Sequence, residues 1–499
     1  MAQSEFINKV YDYCTGKGLL VGVSCIVAGL SGGPDSVALV TVLARLRDEV
    51  EGFPKLYAVH VNHGLRDTAN LDEELSSKLC GKLNVPFVKY SFDVKEEAAK
   101  LGRGLEDTGR ILRYKAFDEA AVKASGELNI RRSEVKIATA HHSDDLAETF
   151  MMNLFRGSGL DGLTAMSSND NVIRPLMGVT KDEIVKYLDD GKIEYATDET
   201  NLETDYTRNK WRNDIFPKIA EASVKDPKDA ISDTYRLLSI DGDYLQQVAG
   251  NRYKECLVKS GDVKFIRIAD IKDLHEAIRT RVIRLYWEEV FGNLTDFESK
   301  HVDIVSELIR IQGGTHYADL SFGRRSMSVE GYLGFCEKDG VTKLACAIST
   351  YIGFPAVPDD FSLHISMKDI EDGPKTYELP GSKVLVRASV VENSEGIVYN
   401  MCSWICPEEV LDIGVIPCEG TFQKAGSPHK ADIKKLLSDM KVPRDARSHL
   451  IAVSAEGRLL WIPGIGHSEG FVSSKSREAW LNKSPLSYKE KLIKLDIVG

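Results

Sequence analysis

Two short polar stretches carry residue types that could do chemistry. The first, Ser31-Gly32-Gly33-Pro34-Asp35-Ser36, follows the apolar run 25–30 and precedes a segment whose apolar positions include Val37, Val40, Leu43 and Leu46. Glycines let backbone N–H groups approach a ligand, serine hydroxyls add donors, Pro34 presets a first helical turn, and a helix N-terminus favours negative charge. That is the chemistry of a phosphate cradle. An aspartate beside phosphate is repulsive unless a divalent cation bridges them, so Asp35 predicts magnesium. The competing reading is a glycine turn in which Asp35 caps the helix. The stretch is not a Walker A loop, which needs Gly-Lys and then Ser or Thr, and the missing lysine points away from ordinary γ-phosphate transfer.

The second stretch is His141-His142-Ser143-Asp144-Asp145-Leu146-Ala147-Glu148. Asp145 and Glu148, three residues apart at a helix start, can share a face, and Asp144 is expected to cap that helix. A metal reading of His141, His142, Asp144, Asp145 and Glu148 stays open, as does a structural one in which the acids satisfy helix N–H groups. A third polar loop, His60-Val61-Asn62-His63-Gly64, has two histidines that suit a structural role as well as a ligand contact, and both are left out of the catalytic set.

The elements that must position these loops alternate. From residue 20 to about 217, apolar strand-like runs precede amphipathic helices at 25–30 and 37–50, 56–62 and 71–83, and 135–140 and 146–155. The alternation implies a parallel α/β sheet, whose ligand sites lie at the carboxyl ends of its strands, so the three loops should converge on one crevice. Beyond Pro217 helical stretches cover 232–248 and 274–290, the latter carrying Ile278, Val282, Ile283, Leu285 and Tyr286 on overlapping turns, and a β-rich piece follows near 317–335. A region from 341 to 372 with Gly353, Pro355 and Pro358 reads as a connector of uncertain order, and the strand–helix–strand text after it as a small α+β unit. The expected domains are 1–217, a mainly helical 218–340, the connector 341–372, and 373–499.

Composition bounds the function. A chain of 499 residues exceeds the roughly 250–300 at which single cores stop growing, so several domains are expected. The net charge of -11 argues against a sequence-independent nucleic-acid binder and against a polybasic membrane anchor. No apolar run reaches the roughly 18 residues of a membrane helix. The start shows neither a secretory signal nor a transit peptide, so a cytoplasmic enzyme is expected. Nine scattered cysteines without a C-x-x-C pair suit a reducing compartment, and Cys402, Cys406 and Cys418 lack the spacing and fourth ligand of a zinc site.

Ser-Gly-Gly-x-Asp-Ser after a strand resembles the signature of the PP-loop ATP pyrophosphatases, an adenine nucleotide α-hydrolase-like α/β fold. The second and third loops, together with Gly104-Leu105-Glu106 leading to Arg110, Arg113 and Tyr114, then Arg156 to Leu160, Arg174-Pro175-Leu176, and Asn201 through Tyr206, Arg208, Asn209 and Arg212, resemble the tRNA(Ile)-lysidine synthases. The resemblance continues into 314–335 and the C-terminal unit. It implies ATP-dependent ligation of L-lysine to carbon 2 of the wobble cytidine in a CAU-anticodon tRNA(Ile), which switches decoding from AUG to AUA. By resemblance Ser31, Gly32, Gly33, Pro34, Asp35 and Ser36 bind ATP, Asp35 holds magnesium, and Asp145 and Glu148 bind and orient lysine. Catalysis then falls to Asp35, Asp145 and Glu148. Leu146 stands where the family usually has glutamine, and 415–421 replaces its usual Arg-Pro-Gly-Asp-like segment.

Arg113, Arg208 and Arg212 are candidates for phosphate or tRNA contacts, since a guanidinium forks onto ATP phosphates, a lysine carboxylate or an RNA backbone alike. Residues 206–218 interleave Arg208, Lys210, Arg212 and Lys218 with Tyr206 and Trp211, the mixture expected for phosphate contacts beside base stacking. Residues 421–450 hold seven cations against three aspartates, which supports a tRNA-facing C-terminal domain. Oligomeric state is left open, with a homodimer as one option.

Overall fold

The computed structural model describes residues 2–62, 64, 69–166, 171–196, 210–294, 297–392, 402–405, 410–417, 419–424, 427–468 and 491–498. Contacts group the chain into two compact units, Met1–Asp243 and Tyr244–Gly499.

In the first unit β1 (Cys25–Gly29), β2 (Lys55–Asn62), β3 (Phe87–Ser91), β4 (Val135–Ala138) and β5 (Val172–Ile173) form one parallel sheet in the order β3-β2-β1-β4-β5. A parallel strand covered on both faces must be apolar throughout, and Ile26, Val27 and Ala28 of β1 are all buried. Ile26 and Ala28 pack with Val10 of α1 (Ala2–Gly16), with Val37, Val40 and Leu43 of α2 (Pro34–Glu49), and with Ile184 and Leu188 of the helix Lys181–Gly191. Val27 belongs to a second core with Phe117, Ala120, Ala121 and Ala124 of the helix Leu105–Leu128. The small residues of that helix let it lie close to the sheet. A Cβ on Gly29 would sit 2.6 Å from Phe117 Cζ, so this strand end must be glycine while Phe117 keeps its place.

In the second unit an antiparallel sheet runs in the order Leu257–Ser260, Val263–Arg267, Tyr332–Glu337, Arg324–Val329, Thr315–Asp319. Val282, Ile283, Tyr286 and Trp287 of the helix Glu276–Phe291 pack against Leu333 and Phe335, as the helical periodicity of that stretch requires. Residues 341–372 contain a helix, Val341–Tyr351, whose Leu344, Ala345, Cys346 and Ile348 are buried. They share one core with Phe265 and Met327 on the N-terminal side and with Ile433, Leu437, Leu450 and Ile462 on the C-terminal side. Among the described residues no three His, Cys, Asp or Glu side chains could hold a metal, and Cys406 and Cys418 lie outside those residues. No described helix is long and apolar enough to cross a membrane.

Candidate active site

Strand order reverses at β1, which has β2 on one side and β4 on the other. Open α/β sheets bind ligands at such a reversal, outside the carboxyl ends of the strands. A cavity of about 340 Å³ lies there, walled by Val59, Val61, Tyr114 and Phe117, with Ser31, Gly33, Asp35 and Ser36 on one side and Thr139, Ala140, His141 and Asp145 on another. The volume falls in the usual range for small-molecule sites, roughly 300–1,000 Å³. The guanidinium of Arg110 sits 5.3 Å from the Tyr114 ring centre, and Arg110 and Arg113 also line the cavity.

The first loop is tied by its own hydrogen bonds. Gly32 has φ +93°, a left-handed conformation that a side chain would strain. Gly33 precedes α2 and Pro34 begins it. Ser36 Oγ donates to Gly33 O at 2.9 Å and accepts from the Ser31 N–H at 3.0 Å, with Ser31 Oγ at 3.1 Å. The N–H groups of the first turn of α2 have no carbonyl partner within the helix, which leaves them suited to an anion. Asp35 meets the Lys181 ammonium at 2.5 Å.

The second loop opens the helix Ser143–Phe155. Asp145, rather than Asp144, closes its N-terminus: Asp145 Oδ2 accepts the His142 N–H at 3.1 Å. Asp144 turns the other way, accepting the Lys181 N–H at 2.8 Å and the Lys228 ammonium. Buried His142 lies among three carboxylates, its Nδ1 3.4 Å from Asp144 and its Nε2 3.4 Å from Asp145 and 3.8 Å from Asp35. Burial opposes its imidazolium, but the negative charge of the flanking Asp144, Asp145 and Asp35 carboxylates outweighs burial and raises its pKa. Burial likewise opposes charge on Asp144, yet the His142 ring beside it and bonds from Lys228 and the Lys181 N–H hold its carboxyl far below the usual range.

Asp145 and Glu148 do share a face, and Arg212 marks it. Arg212 Nη2 is 2.7 Å from Glu148 Oε1 and 3.9 Å from Asp145 Oδ1. Glu148 is only 1% exposed, whereas Asp145 lines the cavity. Arg212 projects from a π-helical turn, Trp211–Ile215, a local over-widening often found at functional sites.

Other expected residues fall elsewhere. Trp211 is not a surface stacking platform: it is buried with Ala147 and Phe216, because its neighbours supply an apolar pocket that a large ring fills. Lys218 is paired with Asp214. Leu146 points into an apolar cluster with Phe150, Met177 and Tyr235, which accounts for a hydrophobic residue there in place of an amide. Arg208 and Tyr206 lie outside the described residues. Sequence reasoning passed over Lys181, Lys228 and the bridging role of His142. One signal was present: Thr180-x-x-Glu183 is a capping pattern that starts a helix at Lys181.

Residues 4–219 match the PP-loop domain family, and residues 413–483 match the TilS substrate C-terminal domain. Every residue lining the cavity falls inside the first match. A tRNA(Ile)-lysidine synthase of Caldanaerobacter subterraneus subsp. tengcongensis is 30% identical over 462 residues, 90% of this chain and 91% of the relative. One from Clostridium perfringens is 32% identical over 482 residues, 94% of this chain and 97% of the relative. The chain belongs to the tRNA(Ile)-lysidine synthase family. It is accordingly an ATP-dependent ligase of tRNA modification. Among solved structures, the U34-tRNA thiolase NcsA from Methanococcus maripaludis is 22% identical with a TM-score of 0.38, covering 47% of this chain and 79% of that one, a likeness too partial to bear on the reaction.

Proposed function

We propose that the cavity at the β1 reversal is where ATP and the wobble cytidine of a CAU-anticodon tRNA(Ile) meet, with L-lysine held beside it, and that the product is lysidine. The observation that carries this is the juxtaposition of the Ser31–Ser36 loop, a glycine-serine phosphate cradle, with Asp145 across one small cavity.

Cytosine's carbonyl oxygen is a poor leaving group. Its attack on the α-phosphorus of ATP, with loss of pyrophosphate, converts it into the oxygen of AMP. The ε-amine of lysine then attacks carbon 2, and AMP departs with that oxygen. Free lysine is protonated near neutral pH, with a pKa of about 10.4, so the site must first hold an ammonium ion and then take its proton. Asp145 faces the cavity and suits both tasks. Glu148, buried against Arg212, orients that guanidinium, whose planar fork suits the lysine carboxylate or an RNA phosphate. Arg113 serves the ATP phosphates, and Arg208 the tRNA backbone.

The donor set fits magnesium in one way only. Among the described residues that line the cavity, Asp35 is the single carboxylate on the cradle side, which matches a cation held mostly by substrate phosphates and water. When bound there, magnesium would offset charge on the ATP phosphates.

In this reading residues 1–217 perform the ATP chemistry in the cytoplasm, and 218–340 and 373–499, joined by 341–372, hold the tRNA. Nucleoside mass spectrometry of a CAU-anticodon tRNA(Ile) transcript after incubation with ATP and lysine tests it. Lysidine with stoichiometric AMP is expected; thiolated or unmodified cytidine from folded protein contradicts it.

A further inference from the structure

The phosphate cradle has no lysine of its own, yet the fold brings one to it. Lys181, 146 residues along the chain from Asp35, sets its Nζ 2.5 Å from Asp35 Oδ1. Its backbone is anchored independently of that contact. Thr180 Oγ1 accepts the Glu183 N–H at 3.3 Å, and Asp144 accepts the Lys181 N–H at 2.8 Å. The side chain is 30% exposed, so Nζ can leave Asp35 without moving the helix that carries it. The other lysine of this network, Lys228, is held on Asp144, across the His142 ring from Asp35.

We propose that Lys181 is a phosphate-contacting residue of the ATP site, pairing with Asp35 and passing to ATP's phosphate oxygens as ATP binds. The proposal rests on reading the cavity as the ATP site. It answers an electrostatic need: when the bond from the α-phosphorus to its bridging oxygen breaks, the electron pair stays on pyrophosphate, and negative charge grows on that leaving group. A cation already positioned there stabilises it without reorganisation. Lysine supplies such a compact point charge on a flexible stem. Asp35 is the residue that would hold a divalent cation here, and its carboxylate would then no longer need Lys181 as its counter-charge.

The test is ATP binding by calorimetry to the full chain, without tRNA or free lysine, in magnesium and again in EDTA. Wild type, Lys181→Met, Lys181→Arg, Asp35→Asn and the double variant Asp35→Asn/Lys181→Met are compared, with circular dichroism confirming folding. Lys181→Met is expected to weaken ATP binding by roughly ten- to a hundredfold, the scale of a hydrogen bond to a charged group, in both the wild-type and the Asp35→Asn backgrounds. Lys181→Arg should recover part of the loss. A loss seen only where Asp35 is intact would mean that Lys181 merely neutralises Asp35, and would overturn the proposal, as would unchanged affinity in Lys181→Met. Folded wild type that fails to bind ATP in magnesium would overturn the ATP site itself and the role of Lys181 with it.

Discussion

Arg212 Nη2 stands 2.7 Å from Glu148 Oε1, a half-exposed guanidinium over a carboxylate that is 1% exposed. Burial works against the charge on Arg212, and the bond to Glu148 outweighs it and raises the arginine's pKa. Removing one partner of such a pair leaves the other's desolvation uncompensated. Water reaches Arg212, so the full cost of a buried pair does not apply. Arg212→Ala should destabilise the first unit by about 1–3 kcal/mol, read from urea midpoints by tryptophan fluorescence. Glu148→Gln/Arg212→Ala should cost less than the sum of the single changes; strict additivity would show that the pair is not coupled.

Asp145 lines the cavity and Glu148 does not, so the two acids should differ in kinetics. Asp145→Asn is expected to raise the KM for lysine by at least about tenfold, the scale of one charge-assisted bond, with a smaller effect on the KM for ATP. Glu148→Gln should raise the lysine requirement too, through Arg212. Unchanged lysine dependence in both variants would remove these residues from the lysine site.

Gly29→Ala puts a methyl 2.6 Å from Phe117 Cζ and must push the ring, which walls the cavity. Overpacking of this kind costs about 1–3 kcal/mol. The KM for ATP should rise while tRNA binding holds. A wild-type KM for ATP would mean that Phe117 does not shape the nucleotide pocket.

His467, stacked on Trp461 with ring centres 5.6 Å apart, has its pKa lowered to about 4 by burial, with Lys424 adding to the effect. The unfolded chain then binds the proton more tightly than the folded one. Stability is therefore fully present above the ordinary histidine value near 6.5, and is lost as pH falls from there to about 4. The loss should reach about 3 kcal/mol at most, and His467→Phe should flatten it in urea midpoints measured across that window. An equally steep decline in the variant would assign the acid sensitivity to other groups.

Lys430 and Lys435 are exposed on the cationic stretch 421–450. If they meet phosphate, changing both to glutamine should weaken tRNA binding and lower the salt slope by about 2, one per contact. ATP binding should be untouched. An unchanged salt slope would place the tRNA elsewhere.

What could be read in the sequence was local. Ser31 to Ser36 and the acids at 144–148 sit directly after apolar strands, and the chemistry of a strand-to-helix loop depends on adjacent residues, so cradle and acids were visible together with the parallel sheet. The pairing of Lys181 with Asp35 and of Lys228 with Asp144 joins residues 146 and 84 positions apart, and only the folded first unit brings them within reach. Trp211 misled because an aromatic between cations suits stacking on RNA, while the same ring also fills a pocket formed by Ala147 and Phe216. The choice of Asp145 over Asp144 as the cap turned on the two lysines competing for Asp144, which no local pattern encodes.

The most direct measurement is mass spectrometry of the wobble nucleoside after the full chain has acted on a CAU-anticodon tRNA(Ile) with ATP and lysine. Lysidine is expected from wild type and none from Asp35→Asn. Unmodified cytidine from folded, ATP-binding wild type would contradict the assignment.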